Sequence, residues 1–414
     1  MPPSSRRMEP LVTPAPVPII AAINIGSSSI KFALFRRSTD APHVERIASG
    51  KLDQLGSSNG SITIRDEAGR ATISRRLRTN DPSSAMDELL TWIKSSEYNG
   101  RIRAIGHRIV HGGRRFSAPQ PVTPALVRAL RRLIPFDPDH LPAELQGIRA
   151  VQRRLPDAFQ VACFDTAFHR SMPRVAQLYA LPRRLSEEGV IRYGFHGLSC
   201  EYIVGALAAQ DARGSPPPRL IVAHLGNGCS MTAILRGRSI ETTMGFTPTG
   251  GLVMSTRPGD LDPEVVVYLA QHFRQTPAQL SRFLNRKAGL LGISGSSGDM
   301  RALHRRAARD RRAREAVDLF CYQAGKALGS LTAVLGGLDA LVFTGGIGEN
   351  DPEVRQRISA FGHHLGVRID SRRNATNRPV ISTGASTVTV RALPTNEERV
   401  IAAHTLRLWS RRIR

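Results

Sequence analysis

The chain has 414 residues, 41% hydrophobic and 22% charged, a balance that excludes disordered and fibrous classes and allows about two globular domains. The 58 Lys+Arg against 34 Asp+Glu give a net charge of +24, which suits anionic partners. Most of the basic residues are arginines spread along the whole chain, so the charge marks out no nucleic-acid stripe by itself.

Residues 1–17 are studded with proline and carry no uninterrupted apolar stretch. They read as a disordered extension, neither signal peptide nor membrane span. "IIAAINIGSSSIKFALF" (Ile19–Phe35) follows as strand, tight turn and strand, the turn full of small donors. The usual phosphate loop, G-x-x-x-x-G-K-[ST] leading into a helix, is absent there. Helices are expected at Ser84–Ser95 and Thr123–Leu133, and strands at Ala104–Val110 and Val161–Phe164. His107 and His111 are four apart, but on a strand that spacing spans about 13 Å, too far for two ligands of one ion. Arg108 would point from the end of that strand towards whatever cleft it faces. Asp165 sits directly after the next apolar strand, a place where catalytic carboxylates and helix caps both occur.

A helix is expected at Glu201–Ala209, after the Pro-rich loop at 214–219 comes "RLIVAHLGNGCSMTAIL" (Arg219–Leu235), and here the strand, Gly-rich turn and strand of Ile19–Phe35 return. This echo suggests two related halves. The segment Met244–Pro263 is too rich in Gly, Pro and Thr for a regular element, and Arg257 is its only basic residue. Pro263–Gln275 reads as a helix, and so does Arg301–Glu315, with one basic face but none of the aromatics that base stacking requires. Next come a helix over Arg314–Leu335, a buried strand entering a Gly-Gly turn in "LDALVFTGGIGEN" (Leu338–Asn350), and a helix capped by Asn350 or Asp351. A strand at Val388–Ala392 and a helix at Asn396–Arg407 complete an α/β pattern of mixed sheets flanked by helices. Three Gly-rich turns at strand ends point together to a phosphate cleft, since glycine admits close approach and consecutive N–H groups make a concave anion site. Cys163, Cys200, Cys229 and Cys321 lie far apart with no C-x-x-C, which fits a reduced cytoplasm better than a disulfide or zinc framework.

Taken together, these segments resemble the acetate kinase family. Its motifs appear in order as Asn24–Lys31, Gly106–Gly113, Phe164–His169, Tyr193–Gly197, His224–Gly228, Met244–Pro248, Thr256–Pro263, Gly289–Gly295, Phe343–Asn350 and Pro394–Glu398. The resemblance implies the fold of acetate and sugar kinases, heat-shock 70 chaperones and actin: two domains of similar ribonuclease H-like topology around a nucleotide cleft. Domain I would span 18–165, completed by the C-terminal helix 396–414, and domain II 166–395. It further implies a cytoplasmic homodimer that converts acetate and ATP to acetyl phosphate and ADP with Mg2+ or Mn2+, and neither membrane nor nucleic acid as a partner.

Residue by residue, the resemblance assigns Asp165, Arg108, Arg257, His196 and His140 to catalysis. Arg108, Val110, Phe195 and Pro248 would bind the carboxylic acid. Lys31, His224, Leu225, Gly226, Asn227, Gly228, Asp299, Met300, Arg301, Gly346, Ile347, Gly348, Glu349 and Asn350 would bind the nucleotide, and Asn24 and Glu397 the metal. The sequence departs from the family at "PDHLPAE" (Pro138–Glu144), where Asp139 replaces a leucine of the acyl pocket and Leu141 and Glu144 replace asparagines. These changes bear on the acid's chain length, so propionate or butyrate is the alternative substrate. A non-catalytic nucleic-acid-binding or regulatory protein on the same fold is the alternative of another class.

Overall fold

The structure, a computed structural model, describes residues 17–26, 29–38, 44–55, 59–77 and 82–413. The extension expected at 1–17 lies, but for Val17, outside the described residues. Two strands govern the layout. β1 (Ile19–Ile25) is buried along its whole length, so it needs cover on both faces and partners on both edges. β2 (Ile30–Arg37) pairs with it antiparallel and β6 (Ile102–Ile109) parallel. With β3 (Val44–Asp53), β4 (Ser61–Asp66), β5 (Ala71–Arg76), β7 (Gln120–Pro121) and β8 (Phe159–Phe164), the first sheet runs β5-β4-β3-β2-β1-β6-β8-β7.

β9 (Arg219–Leu225) has the same role in the second sheet. It pairs antiparallel with β10 (Cys229–Leu235) and parallel with β12 (Ala340–Thr344). β11 (Arg238–Thr242) and β13 (Thr389–Ala392) complete the order β11-β10-β9-β12-β13. Read from its third strand, the first sheet repeats this order as β3-β2-β1-β6-β8 with the same parallel and antiparallel neighbours. The echo in the sequence is therefore a repeat of topology: three antiparallel strands followed by two parallel ones, in each half.

The Glu397–Arg412 helix returns to the first sheet, where Ile401, Ala402 and Leu406 pack on Ile20, Ala22, Ala33 and Val161. On the other face of β1, Ile19, Ile23 and Ile25 share a core with Met86, Leu89, Leu90 and Val151. The long Arg311–Leu335 helix covers the second sheet, burying Phe320, Ala324 and Leu328 in the core that contains Ile221, Ala223 and Phe343. Helix and strand bounds follow the expectations to within a few residues, with three differences. Arg301–Glu315 is two helices, because Asp310 accepts from the Arg312 and Ala313 amides and starts a new one. Gly345–Asn350 is a short helix rather than a turn. The helix expected at Glu201 begins at Gly197, directly after His196.

Candidate active site

Parallel pairing sets the site. β6 and β8 pair in register, so Arg108 and Asp165 emerge side by side where those strands end. Asp165 is fully buried; its Oδ2 accepts from Arg108 Nη2 at 2.7 Å and from the His196 amide at 3.0 Å. Burial works against the charge on Arg108, but Asp165, Glu397 and Glu144 outweigh it, and the guanidinium pKa is raised. Arg108 therefore stays a cation in a nearly dry site.

His196 adopts a left-handed conformation, φ 58°, which turns its ring back over the second sheet. There it stacks on His224 with ring centroids 4.1 Å apart. Its Nδ1 meets Ser230 Oγ at 2.9 Å, while His224 Nδ1 meets Ser199 Oγ at 2.8 Å, and Ser199 donates on to Thr395 Oγ1. Burial drives both imidazoles down, His224 to about 4, and for His196 the neighbours His224, Arg108 and Arg257 add to the effect. Both rings are neutral near pH 7, so they act as hydrogen-bonding groups rather than charges.

The Gly-rich turn 226–228 lies beneath these rings. A Cβ on Gly228 would sit 3.2 Å from Arg257 Nη2 and 3.3 Å from His196 Nε2. The missing side chain thus leaves a narrow gap in which a guanidinium and an imidazole converge, tighter than a methyl group would accept. Arg257 Nη1 donates to Pro248 O at 2.6 Å, which aims the rest of its fork into that gap.

The other glycine segments converge on the same edge. β9 and β12 are parallel neighbours, with His224 opposite Thr344, so Gly226 and Gly346 meet. Gly345, at φ 78°, lies so close to Leu225 O that a Cβ would be 2.7 Å away, which only glycine tolerates. Glu349 accepts from the Gly345 and Thr395 amides, so its carboxylate braces the turn. Ser255 ties in the third segment: its amide donates to Asn227 O and its hydroxyl to Gly298 O, next to Asp299, which caps the Met300–Ala307 helix. Met300 is buried and Arg301 exposed on that first turn. Asn24 Nδ2 donates to Glu397 Oε2 at 2.9 Å, and Lys31, paired with Asn24 across β1 and β2, stands beside them.

A cleft of ≈ 820 Å³ opens beside Arg257, lined by Phe136, Asp137, Asp139, His140, Pro248 and Arg286 among others. Asp137 accepts from both the backbone and the ring of His140. Asp139 lies 3.7 Å from Arg286, so the acid that replaces an apolar wall residue has a cationic partner. Val110 and Phe195, expected on the acyl pocket, are buried within the core behind that cleft. The rejected metal pair behaves as packing: His107 meets Gln160 at 2.9 Å, and His111 lies among Phe136, Tyr193 and Phe195.

The family model described as the acetokinase family matches residues 19–403. The chain belongs to the acetokinase family. It is accordingly an enzyme, a kinase. Among relatives of this acetokinase, the acetate kinase of Rhodopseudomonas palustris (strain TIE-1) is 44% identical over 94% of this chain and 98% of its own. Acetate kinase 1 of Neisseria meningitidis serogroup A is 40% identical over 94% of this chain and 98% of its own. Of solved structures, a propionate kinase from Francisella tularensis superposes with a TM-score of 0.86 at 35% identity, covering 94% of this chain and 99% of that one. The acetate kinase of Porphyromonas gingivalis gives 0.81 at 35% identity over 95% and 100%.

Some participants escaped the sequence reading. Ser199, Ser230 and Thr395 orient the two imidazoles, and Glu144 receives the Val110 amide on both carboxylate oxygens at 3.1 Å. Ser199 and Thr395 lie inside or next to quoted motifs, and that adjacency was the available signal.

Proposed function

We propose that this acetokinase transfers the γ-phosphoryl group of ATP to the carboxylate of acetate, reversibly, giving acetyl phosphate and ADP. The observation that carries the reading is the convergence of Arg257 and His196 on Gly228, with Arg108 held nearby on Asp165. Acetate is ionised at neutral pH, so the nucleophile needs no base; the difficulty is to bring two anions together in line. Arg108 binds the carboxylate, Arg257 takes the phosphoryl oxygens, and neutral His196 donates to them. Asp165 fixes Arg108 and the His196 backbone instead of removing a proton. The 224–228, 299–301 and 346–350 segments hold the nucleotide, with Lys31 at the phosphate end.

Asn24 and Glu397 supply hard oxygen donors that suit magnesium or manganese. Among the described residues no group of three or more His, Cys, Asp and Glu is placed to hold a metal alone. That fits an ion held by two side chains, phosphate oxygens and water. Burial and the nearby Asp165 raise the Glu397 pKa, against the pull of Arg108 and Lys31. When bound, the ion would neutralise charge on the transferring phosphates.

The exposed apolar residues Val265, Val267, Tyr268 and Phe273, on and beside the Pro263–His272 helix, support a homodimer through this surface, which light scattering at micromolar concentration would check. Among the described residues no helix is long and apolar enough to cross a membrane. With four unpaired cysteines this supports a cytoplasmic enzyme, for which fractionation of the source cells is the check. The two sheets support a division into domain I, 18–165 with the C-terminal helix, and domain II, 166–395; limited proteolysis that cuts within either rather than near 165 would count against it.

The deciding experiment traps acyl phosphate with hydroxylamine across C2 to C5 acids, with ATP and with or without Mg2+. Acetate should give the highest kcat/KM, and chelation should abolish turnover. Strong activity on propionate or butyrate with little on acetate would shift the substrate and leave the reaction type standing. Absence of product from every acid would end the reading.

A further inference from the structure

His304 lies on the Met300–Ala307 helix, three residues past Arg301, and its ring bridges to a different part of the chain. Nε2 is 2.9 Å from Asp351 Oδ2, and Nδ1 is 3.2 Å from Glu353 Oε2. Asp351 adjoins Asn350: its amide donates to Ile347 O at 2.9 Å, and its Oδ1 caps the Pro352–Ala360 helix. The imidazole therefore ties the helix that opens at the Asp299–Arg301 segment to Asp351, the residue that follows the Gly346–Asn350 segment. A neutral imidazole has one N–H, so a carboxylate at each nitrogen is satisfied only by the imidazolium.

The surroundings agree. The hydrogen bond to Asp351 raises the His304 pKa against partial burial, and Glu353 adds to the rise. Arg357, on the same helix as Glu353, opposes it; it pairs with Asp318 of the Arg311–Leu335 helix and, at 3.5 Å, with Glu353 Oε1, leaving Glu353 Oε2 to His304. From that helix Cys321 also faces these groups, and burial pushes its thiol up to about 12, so it carries no charge. On His304's own helix, Arg305 and Arg306 are exposed. Arg355 is held elsewhere, on Gly348 O, Asn374 and Asn377.

We propose that His304 is a positioning residue for the nucleotide: as an imidazolium it clamps the 299–301 and 346–350 segments together, so that ATP affinity is linked to a proton. The proposal rests on the assignment of both segments to the nucleotide. Because the folded-state pKa is raised, the clamp is complete at lower pH and is lost as pH rises through that pKa.

The test is calorimetric titration of Mg-ATP into the full chain at pH 7 and pH 9, without acid substrate, for wild type, His304→Gln and His304→Arg. His304→Gln should bind about fivefold more weakly at pH 7, the scale of a partly exposed ion-pair cluster, and the gap from wild type should close at pH 9. His304→Arg, charged throughout, should hold its affinity at both pH values. In turnover, KM for ATP should rise in His304→Gln while kcat and KM for the acid stay put. A His304→Gln affinity equal to wild type at pH 7, or a gap of the same size at pH 9, overturns the proposal. If His304→Gln fails to fold by circular dichroism, the arginine variant decides: loss of affinity equal to wild type's between pH 7 and 9 also overturns it. A wild-type chain that binds no ATP would sink the nucleotide assignment itself, a result distinct from either.

Discussion

The β1–β2 and β9–β10 hairpins hold equivalent places in their sheets, yet their tips meet different chemistry. Beside the first tip, Asn24 faces the carboxylate of Glu397, and Arg108, on the neighbouring strand β6, lies with buried Asp165 at the end of β8. Beside the second, His224 stacks on neutral His196 and three residues of turn carry two glycines. Around the first tip the buried charges are paired with one another, and around the second they give way to backbone amides, uncharged rings and one guanidinium, Arg257, held on a carbonyl. Repeated topology has given two frames, and the proposed site lies where a frame of paired charges faces one of amides and neutral rings.

The sharpest probe of this contrast compares one arginine from each half. Arg108→Ala and Arg257→Ala should each lower kcat by roughly 10³-fold or more, on the scale of arginines in phosphoryl transfer. Their stabilities should differ. Arg108→Ala strands buried Asp165 and should cost about 3–5 kcal/mol in denaturant unfolding. Arg257 is tied only to a carbonyl among its described hydrogen bonds, and its loss should cost about 1 kcal/mol. Equal destabilisation by the two would erase the distinction between the halves.

A smaller effect is expected at the tips. Gly228→Ala would push a methyl group between Arg257 and His196 and should reduce kcat/KM by about 100-fold with the fold intact, as about 2.7 kcal/mol of lost transition-state contact implies. Among the described residues Gly26→Ala meets only Ser29, at 3.4 Å, and should stay within about twofold of wild type in the same assay. Comparable losses at both tips would mean that the first turn is as close to the phosphates as the second.

An effect confined to stability concerns Glu144, which burial raises from 4.5 to about 8. Its folded form binds the proton more tightly than the unfolded chain, so it lowers stability as pH rises from about 4.5 to about 8. Glu144→Gln keeps an acceptor for the Val110 amide without that charge, and should become more stable than wild type by on the order of 2 kcal/mol near pH 8. Parallel pH–stability curves for the two would show that Glu144 does not titrate there.

Much of this arrangement was legible in the sequence because it is written in short range. Alternation around Gly226–Gly228 and the apolar runs at Ala340–Thr344 gave strands and turns, and the motif order gave the family. What escaped depends on contacts across the chain. Asp310 divides the Arg301–Glu315 stretch through a cap whose helix is held by the second sheet's core. Gly345–Asn350 winds into a helix because the turn is braced by Glu349 and by Arg355 on Gly348 O. Asp139, alarming beside an acyl group, finds Arg286 from a helix more than a hundred residues on.

The Asn24–Glu397 hydrogen bond joins positions 373 residues apart. On a ribosome, where synthesis runs at about 5–20 residues per second, roughly 20–75 s separate the appearance of the two partners. During that interval the face of β1 that carries Ile20 and Ala22 has no Ile401 or Leu406 to cover it. The nascent first half must therefore survive with a bare apolar face, which makes it the stretch of this chain with most to gain from a chaperone. A chain that stalls short of Glu397 would lack the last side chain of the site as well as the cover of its oldest strand.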